Sequence, residues 1–198
     1  MSTTHRRALG AGIAAAAIAA LVAGTPAMAG PGKKPAPKKA GTQSVQLLSI
    51  NDYHGNLESL KSMTFEPEPK APLIEAGGAQ NLATKLAELR AKAGDANSLT
   101  VAAGDLIGGS TFISGMFHDE PSVESLNAMG MDVSSVGNHE FDEGTAELLR
   151  MQKGGCHPVD GCYFPDDPYA GADFPWLAAN VVKKTSGQPL LPATSVHK

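Results

Sequence analysis

Short apolar runs alternate along the chain with segments whose apolar residues recur every three or four positions. Val45 to Ile50, Leu99 to Ala103, Val133 to Val136 and Trp176 to Val182 have the length and composition of buried strands, and Asn51, Gly104 and Gly137 break the first three. Leu82, Leu86 and Leu89 stand at helical spacing among charged residues, so a helix is expected over Gly77 to Lys92. A second is expected over Pro121 to Met129, with an acidic start at Asp119 and Glu120 and a stop at Gly130, and a third over Glu143 to Lys153. Lys61 to Pro72 holds three prolines and reads as an irregular excursion, and the glycine-rich Ile107 to Phe117 reads as a cover or a short helix. Strands alternating with helices predict an α/β fold, whose ligands bind at the carboxyl ends of the strands.

The amino terminus has a different character. His5, Arg6 and Arg7 precede the uncharged run Ala8 to Gly24, and Ala27-Met-Ala29 is a small-residue cleavage pattern, so residues 1–29 read as a signal peptide. The run is short and alanine-dominated, against roughly 20 strongly apolar residues for a membrane span. Export is therefore expected, with no span left after cleavage, and Arg6-Arg7 leaves the twin-arginine route open. Residues 30–42 form a Pro/Lys-rich tether, and the folded body is expected over 43–198.

Of sixteen Lys plus Arg, six precede Gly41, which leaves ten against twenty Asp plus Glu in the body. That balance argues against nucleic acid held on a basic face, and an anionic substrate would need bound cations to reverse the local field. Gly104 to Ser110 lacks the order and the lysine of a phosphate loop. Cys156 and Cys162 read as a disulfide closing a small loop, with free thiols or a metal pair as alternatives.

The candidate chemistry gathers where the apolar runs stop. Asp52 and His54 are two apart, and in an extended segment they would face the same side and grip one ion. Asp105 offers two oxygens for bridging, and Asn138 offers a neutral amide oxygen for a second ion. Oxygen ligands mixed with imidazole suit two divalent ions such as Zn or Mn. His139 faces differently from Asn138 and is a candidate acid for the leaving group, with Asp142 three residues on to orient it and raise its pKa. Glu140 reads as structural and Asn180 as a partner of backbone groups near the site. His118 and His157 read as surface or lid residues, and Phe112, Phe117 and Trp176 as core.

Ser49-Ile-Asn-Asp-Tyr-His-Gly55, Ala103-Gly-Asp105 and Gly137-Asn-His-Glu-Phe-Asp142 together resemble the first three motifs of the calcineurin-like metallophosphoesterases. With Leu177-Ala-Ala-Asn180 they resemble the secreted 5′-nucleotidase branch. The resemblance implies part of a metallophosphoesterase-type sandwich, a sheet flanked by helices. It implies that Asp52 and His54 bind one metal, Asp105 bridges, Asn138 binds the second, and His139 with Asp142 forms the catalytic dyad. The family's later histidine motifs do not occur before Lys198, where only His157 and His197 lie downstream. The expectation is an amino-terminal part of the catalytic domain with an incomplete metal shell. Its expected activity is phosphoester hydrolysis of nucleotides, with 2′,3′-cyclic nucleotides, nucleotide sugars or thiosulfate oxidation as family alternatives. A secreted metal- or ligand-binding fragment without catalysis is the other reading.

Overall fold

A computed structural model of the protein describes residues 41–63 and 74–197. The signal-peptide pattern, the tether up to Ala40 and residues 64–72 of the expected excursion lie outside the described residues. Strand β1 (Gln46–Ile50) is followed by a hairpin of β2 (Ser59–Met63) and β3 (Ile74–Gly77), then by helix α1 (Ala79–Ala93) and strand β4 (Ser98–Ala102). The short helix α2 (Phe112–Gly115), α3 (Glu120–Ala128), β5 (Val133–Ser135), α4 (Gly144–Lys153) and β6 (Trp176–Leu177) complete the order. Strands β1, β4, β5 and β6 form one parallel sheet in that order, with Ile50 beside Ala102, Ala102 beside Ser134 and Ser135 beside Leu177. The fold is α/β, a parallel sheet flanked by helices. Because all four strands run the same way, the loops after β1, β4 and β5 leave from one edge.

The helices begin and end where local chemistry dictates. Gly94, at φ +86°, stops α1 and returns its N–H to the Arg90 carbonyl. Arg90 in turn donates to the carbonyls of Met129 and Gly130 at the end of α3 and to the Thr100 hydroxyl of β4, so one guanidinium ties two helix ends to the sheet. Pro121 lies in the first turn of α3, where its missing N–H costs nothing. Leu106, Val123, Leu126, Leu148, Met151, Phe174 and Trp176 fill the core, each contributing about 1.5–3 kcal/mol by burial. The Trp176 indole meets Phe174 edge-on at 5.1 Å, and its N–H is buried without a hydrogen-bond partner among the described residues. Arg150 of α4 is buried as well, bonded to Glu120 and Glu147 at 2.6 Å each.

Three expectations are corrected. Among the described residues β1 lies at the sheet's edge rather than being a buried strand: its residues alternate, with Leu48 and Ile50 toward the core and Leu47 62% exposed. The stretch read as irregular from Lys61 joins β2 through Met63, pairing antiparallel with β3 across a register shift. The fourth strand stops at Leu177 instead of Val182, because Ala178 and Val181 bond the returning segment at Pro192 and Leu190. Among the described residues, no helix is long and apolar enough to cross a membrane.

Candidate metal centre

The loops after β1 and β4 are joined through their backbones. Asp52 N–H donates to the Gly104 carbonyl and His54 N–H to that of Asp105, both at 3.2 Å. Asp52, His54 and Asp105 take φ values of +54°, +46° and +53°, the left-handed region that Asp and His tolerate better than most residues. The extended geometry expected at Asp52 and His54 is therefore corrected to a tight turn. A side-chain carbon on Gly104 would collide with Gly137, and one on Gly137 with Asp105, so both glycines are needed for the loops after β4 and β5 to touch.

Glu140 locks this contact. Its buried carboxylate accepts the N–H groups of Leu106 at 2.9 Å, Asp105 at 3.0 Å and Gly137 at 2.5 Å. Burial raises its pKa, and those three bonds pull the other way. Asp119 plays a similar part on the far side. It takes the Gly108 N–H at 2.8 Å and the Ser114 hydroxyl at 2.6 Å, fixing Gly108, the residue whose carbonyl lies 2.6 Å from His54 Nδ1. A carbonyl only accepts, so His54 Nδ1 is the donor, and in the neutral ring the lone pair falls on Nε2, 4.0 Å from Asp52 Oδ1.

The site residues meet on this frame. One ligand atom each from His54, Asp105 and His139 lies within 4.8 Å of the others, and the His54 and His139 rings meet edge-on at 4.8 Å. Asp52 is exposed at the rim of this group, and the exposed Asn138 opens the turn His139–Phe141. His139 N–H donates to Asp105 Oδ1 at 3.0 Å, and His139 Nδ1 lies 2.7 Å from Asp142 Oδ2, which also takes the Gly109 N–H at 3.1 Å. The bond to Asp142 holds the His139 pKa above its ordinary value, and the same bond holds that of Asp142 below.

Other residues depart from the sequence reading. His118 and His157, expected at the surface or in a lid, are partly buried and paired with each other. Their rings stack 3.8 Å apart at 13°, and His118 has Glu143 Oε2 at 2.8 Å from Nδ1 and Asp160 Oδ2 at 2.8 Å from Nε2. Cys156 and Cys162 are disulfide-bonded, closing the loop that carries His157 and Asp160. Phe112 is corrected from core to surface, being 80% exposed, whereas Trp176 is buried and Phe117 lies partly buried against Tyr163. Asn180 is exposed in the turn after β6.

No protein-family model matches the chain. It is 38% identical over 168 residues to an uncharacterized protein of Acinetobacter calcoaceticus from the pqq-V 5′ region, covering 81% of each. It is 40% identical over 152 residues to endonuclease YhcR of Bacillus subtilis, covering 77% of this chain and 12% of that one. A snake venom 5′-nucleotidase of Gloydius brevicauda is 32% identical over 148 residues, with 74% of this chain and 21% of the relative covered. Among solved structures, the NAD nucleotidase of Haemophilus influenzae superposes with a TM-score of 0.56 and 28% identity over 72% of this chain and 22% of that one. The chain thus spans most of the Acinetobacter relative and, at 12% to 22%, a small part of the other three.

Proposed function

We propose that this chain, which belongs to the 5′-nucleotidase branch of the metallophosphoesterases, hydrolyses nucleotide phosphoesters at a two-metal centre built on the loops after β1, β4 and β5. The observation that carries the reading is the convergence of His54, Asp105 and His139, with His54 Nδ1 turned to the Gly108 carbonyl so that Nε2 is the ring atom available to an ion. A metal-binding imidazole ordinarily gives its other N–H to such an acceptor, so the residues fit the group. Asp52 and His54 would hold one ion, Asp105 would be shared, and Asn138 would offer its amide oxygen to the second. Mixed oxygen and imidazole donors suit Zn, Mn or a similar ion. When bound, the ions supply an activated water and neutralise phosphoryl charge.

The remaining steps fall to the chain's own groups. With Nδ1–H on Asp142, a doubly protonated His139 gives its Nε2 proton to the departing ester oxygen and is left as the neutral imidazole, and Asp142 steadies the imidazolium before the transfer. The Gly109 N–H keeps Asp142 in place. Nucleotides are the proposed substrates because two similar proteins are named as nucleotidases. A second reading, cleavage of a nucleic-acid phosphodiester, has the Bacillus endonuclease behind it and the acidic body against it. Export is proposed from the leader pattern of residues 1–29, the disulfide and the venom origin of one relative. The domain reading proposed is leader, tether over 30–42 and catalytic body from Gln43, where the second compact unit begins.

Phosphate release from AMP by the full chain, with and without Mn or Zn, tests the activity. Metal-dependent release that disappears in Asp105→Asn and falls about 10²–10⁴-fold in His139→Gln is expected. Metal binding without release would replace it with the non-catalytic reading.

A further inference from the structure

We propose that His118, Glu143, Glu147 and His157 form a separate divalent-cation site, suited to zinc, that pins the disulfide loop to the first turns of α4. Three stretches distant in sequence supply these side chains. His118 comes from the turn between α2 and α3, Glu143 and Glu147 from one face at the start of α4, and His157 from the loop closed by Cys156 and Cys162. One ligand atom from each lies within 4.8 Å of all the others.

The partners of His118 call for a positive charge there, which a second ring proton or a metal ion supplies. Both ring nitrogens of His118 face carboxylate oxygens at 2.8 Å, Glu143 on Nδ1 and Asp160 on Nε2. A neutral imidazole has one N–H, so one of these contacts sets a lone pair against a lone pair unless a proton or a metal ion lies between them. Asp160 is placed as the outer acceptor that metal-bound histidines use. It lies 2.8 Å from His118 Nε2 and 3.4 Å from His157 Nδ1, which leaves His118 Nδ1 and His157 Nε2 for the ion. Loading requires two changes: the His118 and His157 rings, now stacked 3.8 Å apart at 13°, must splay so that both in-plane lone pairs reach one ion, and His157 Nδ1, which now accepts the Asp160 N–H at 3.1 Å, must become a donor to the Asp160 carboxylate.

The distances fit an ion of this size. Tetrahedral ligands about 2.1 Å from zinc lie about 3.4 Å apart, between the 2.8 Å of the closest pair and the 4.8 Å limit of the group. Two imidazoles and two carboxylates also match zinc's ligand preferences. Glu147 is the weakest of the four, since Arg150 already donates to both of its oxygens. Glu143 directly follows Asp142, so an ion here would also steady the end of the dyad loop. The site is independent of the phosphoesterase reading.

Zinc alone is titrated calorimetrically, against a competing chelator, into the 198-residue chain carrying Asp52→Asn, His54→Asn and Asp105→Asn, which removes the first centre. One zinc ion is expected to bind. His157→Ala or Glu143→Gln should weaken it at least about tenfold, and Asp160→Asn about 10–100-fold. Cobalt substituted for zinc should give tetrahedral visible bands that vanish in Glu143→Gln, a partly exposed position whose change spares the core. His118 is changed to Asn rather than Ala because its φ is +47°. Absence of zinc binding in the background chain, or binding indifferent to Glu143→Gln and His157→Ala in variants with unchanged circular dichroism, overturns the proposal.

Discussion

Replacing Glu140 should damage the fold and the metal centre together, by an amount set by three N–H groups. The Leu106 N–H is buried with its acceptor, while those of Asp105 and Gly137 are partly reached by water. An orphaned buried donor costs about 1–3 kcal/mol. Taking the upper value for Leu106 and the lower for the other two puts Glu140→Ala at about 5 kcal/mol. Burial raises the Glu140 pKa in spite of those bonds, so desolvation of the charge offsets part of the gain, and about 4 kcal/mol is the expected loss. Glu140→Gln keeps one oxygen for the Asp105 and Gly137 pair and turns an NH2 toward Leu106, for a loss of about 2 kcal/mol. Against a total stability of about 5–15 kcal/mol, both are measurable by urea unfolding of the metal-free chain at pH 7. The Ala variant should also bind Mn more weakly, since Asp105 loses its anchor. A Glu140→Ala chain within about 1 kcal/mol of the parent, or a Gln variant as damaged as the Ala one, would refute the reasoning.

Arg150→Met should cost about 3–5 kcal/mol in the same assay, because Glu120 and Glu147 are left buried without their cation; a neutral result would mean that water reaches them. The contribution of His139, whose pKa lies above 6.5, is whole below that value and is lost as pH rises through the elevated pKa. That of Asp142, whose pKa lies below 3.8, is whole above that value and is lost as pH falls through the depressed pKa. The pair therefore stabilises most between 3.8 and 6.5, and an NMR titration of the metal-free chain should place the His139 midpoint above 6.5 and lower it in Asp142→Asn; an unchanged midpoint would count against the bond. Changing Cys156 and Cys162 to Ser opens a loop of sequence separation 6 and should cost about 2 kcal/mol by loop entropy, read as a lower urea midpoint.

The strands β1, β4 and β5 and helices α1, α3 and α4 were legible because each carries its own periodicity and its own stop residue. Their order in a parallel sheet is what gathers Asp52, Asp105 and His139 at one edge. What escaped was set by partners remote in sequence. Asp160 meets His118 across 42 residues, and nothing near either residue announces the other. β6 ends early because residues beyond Leu177 find acceptors on a returning segment, which an apolar run does not reveal. The left-handed turns at Asp52 and His54 were hidden for a related reason, since Gly104 and Asp105, far along the chain, hold them by hydrogen bonds. Phe112 stays exposed because apolar character alone does not bury a side chain.

The enclosed indole of Trp176 makes the protein its own fluorimeter. It is the only tryptophan in the sequence, so every emitted photon of that kind originates beside Phe174 in β6. With the ring out of water and its N–H unbonded, emission should sit at the blue end of the tryptophan range and redden only when β6 itself comes apart. The ligand-bearing loops follow β1, β4 and β5, so a titration that alters them while the colour stays blue reports a local event. A titration that reddens the light reports the loss of the whole sheet.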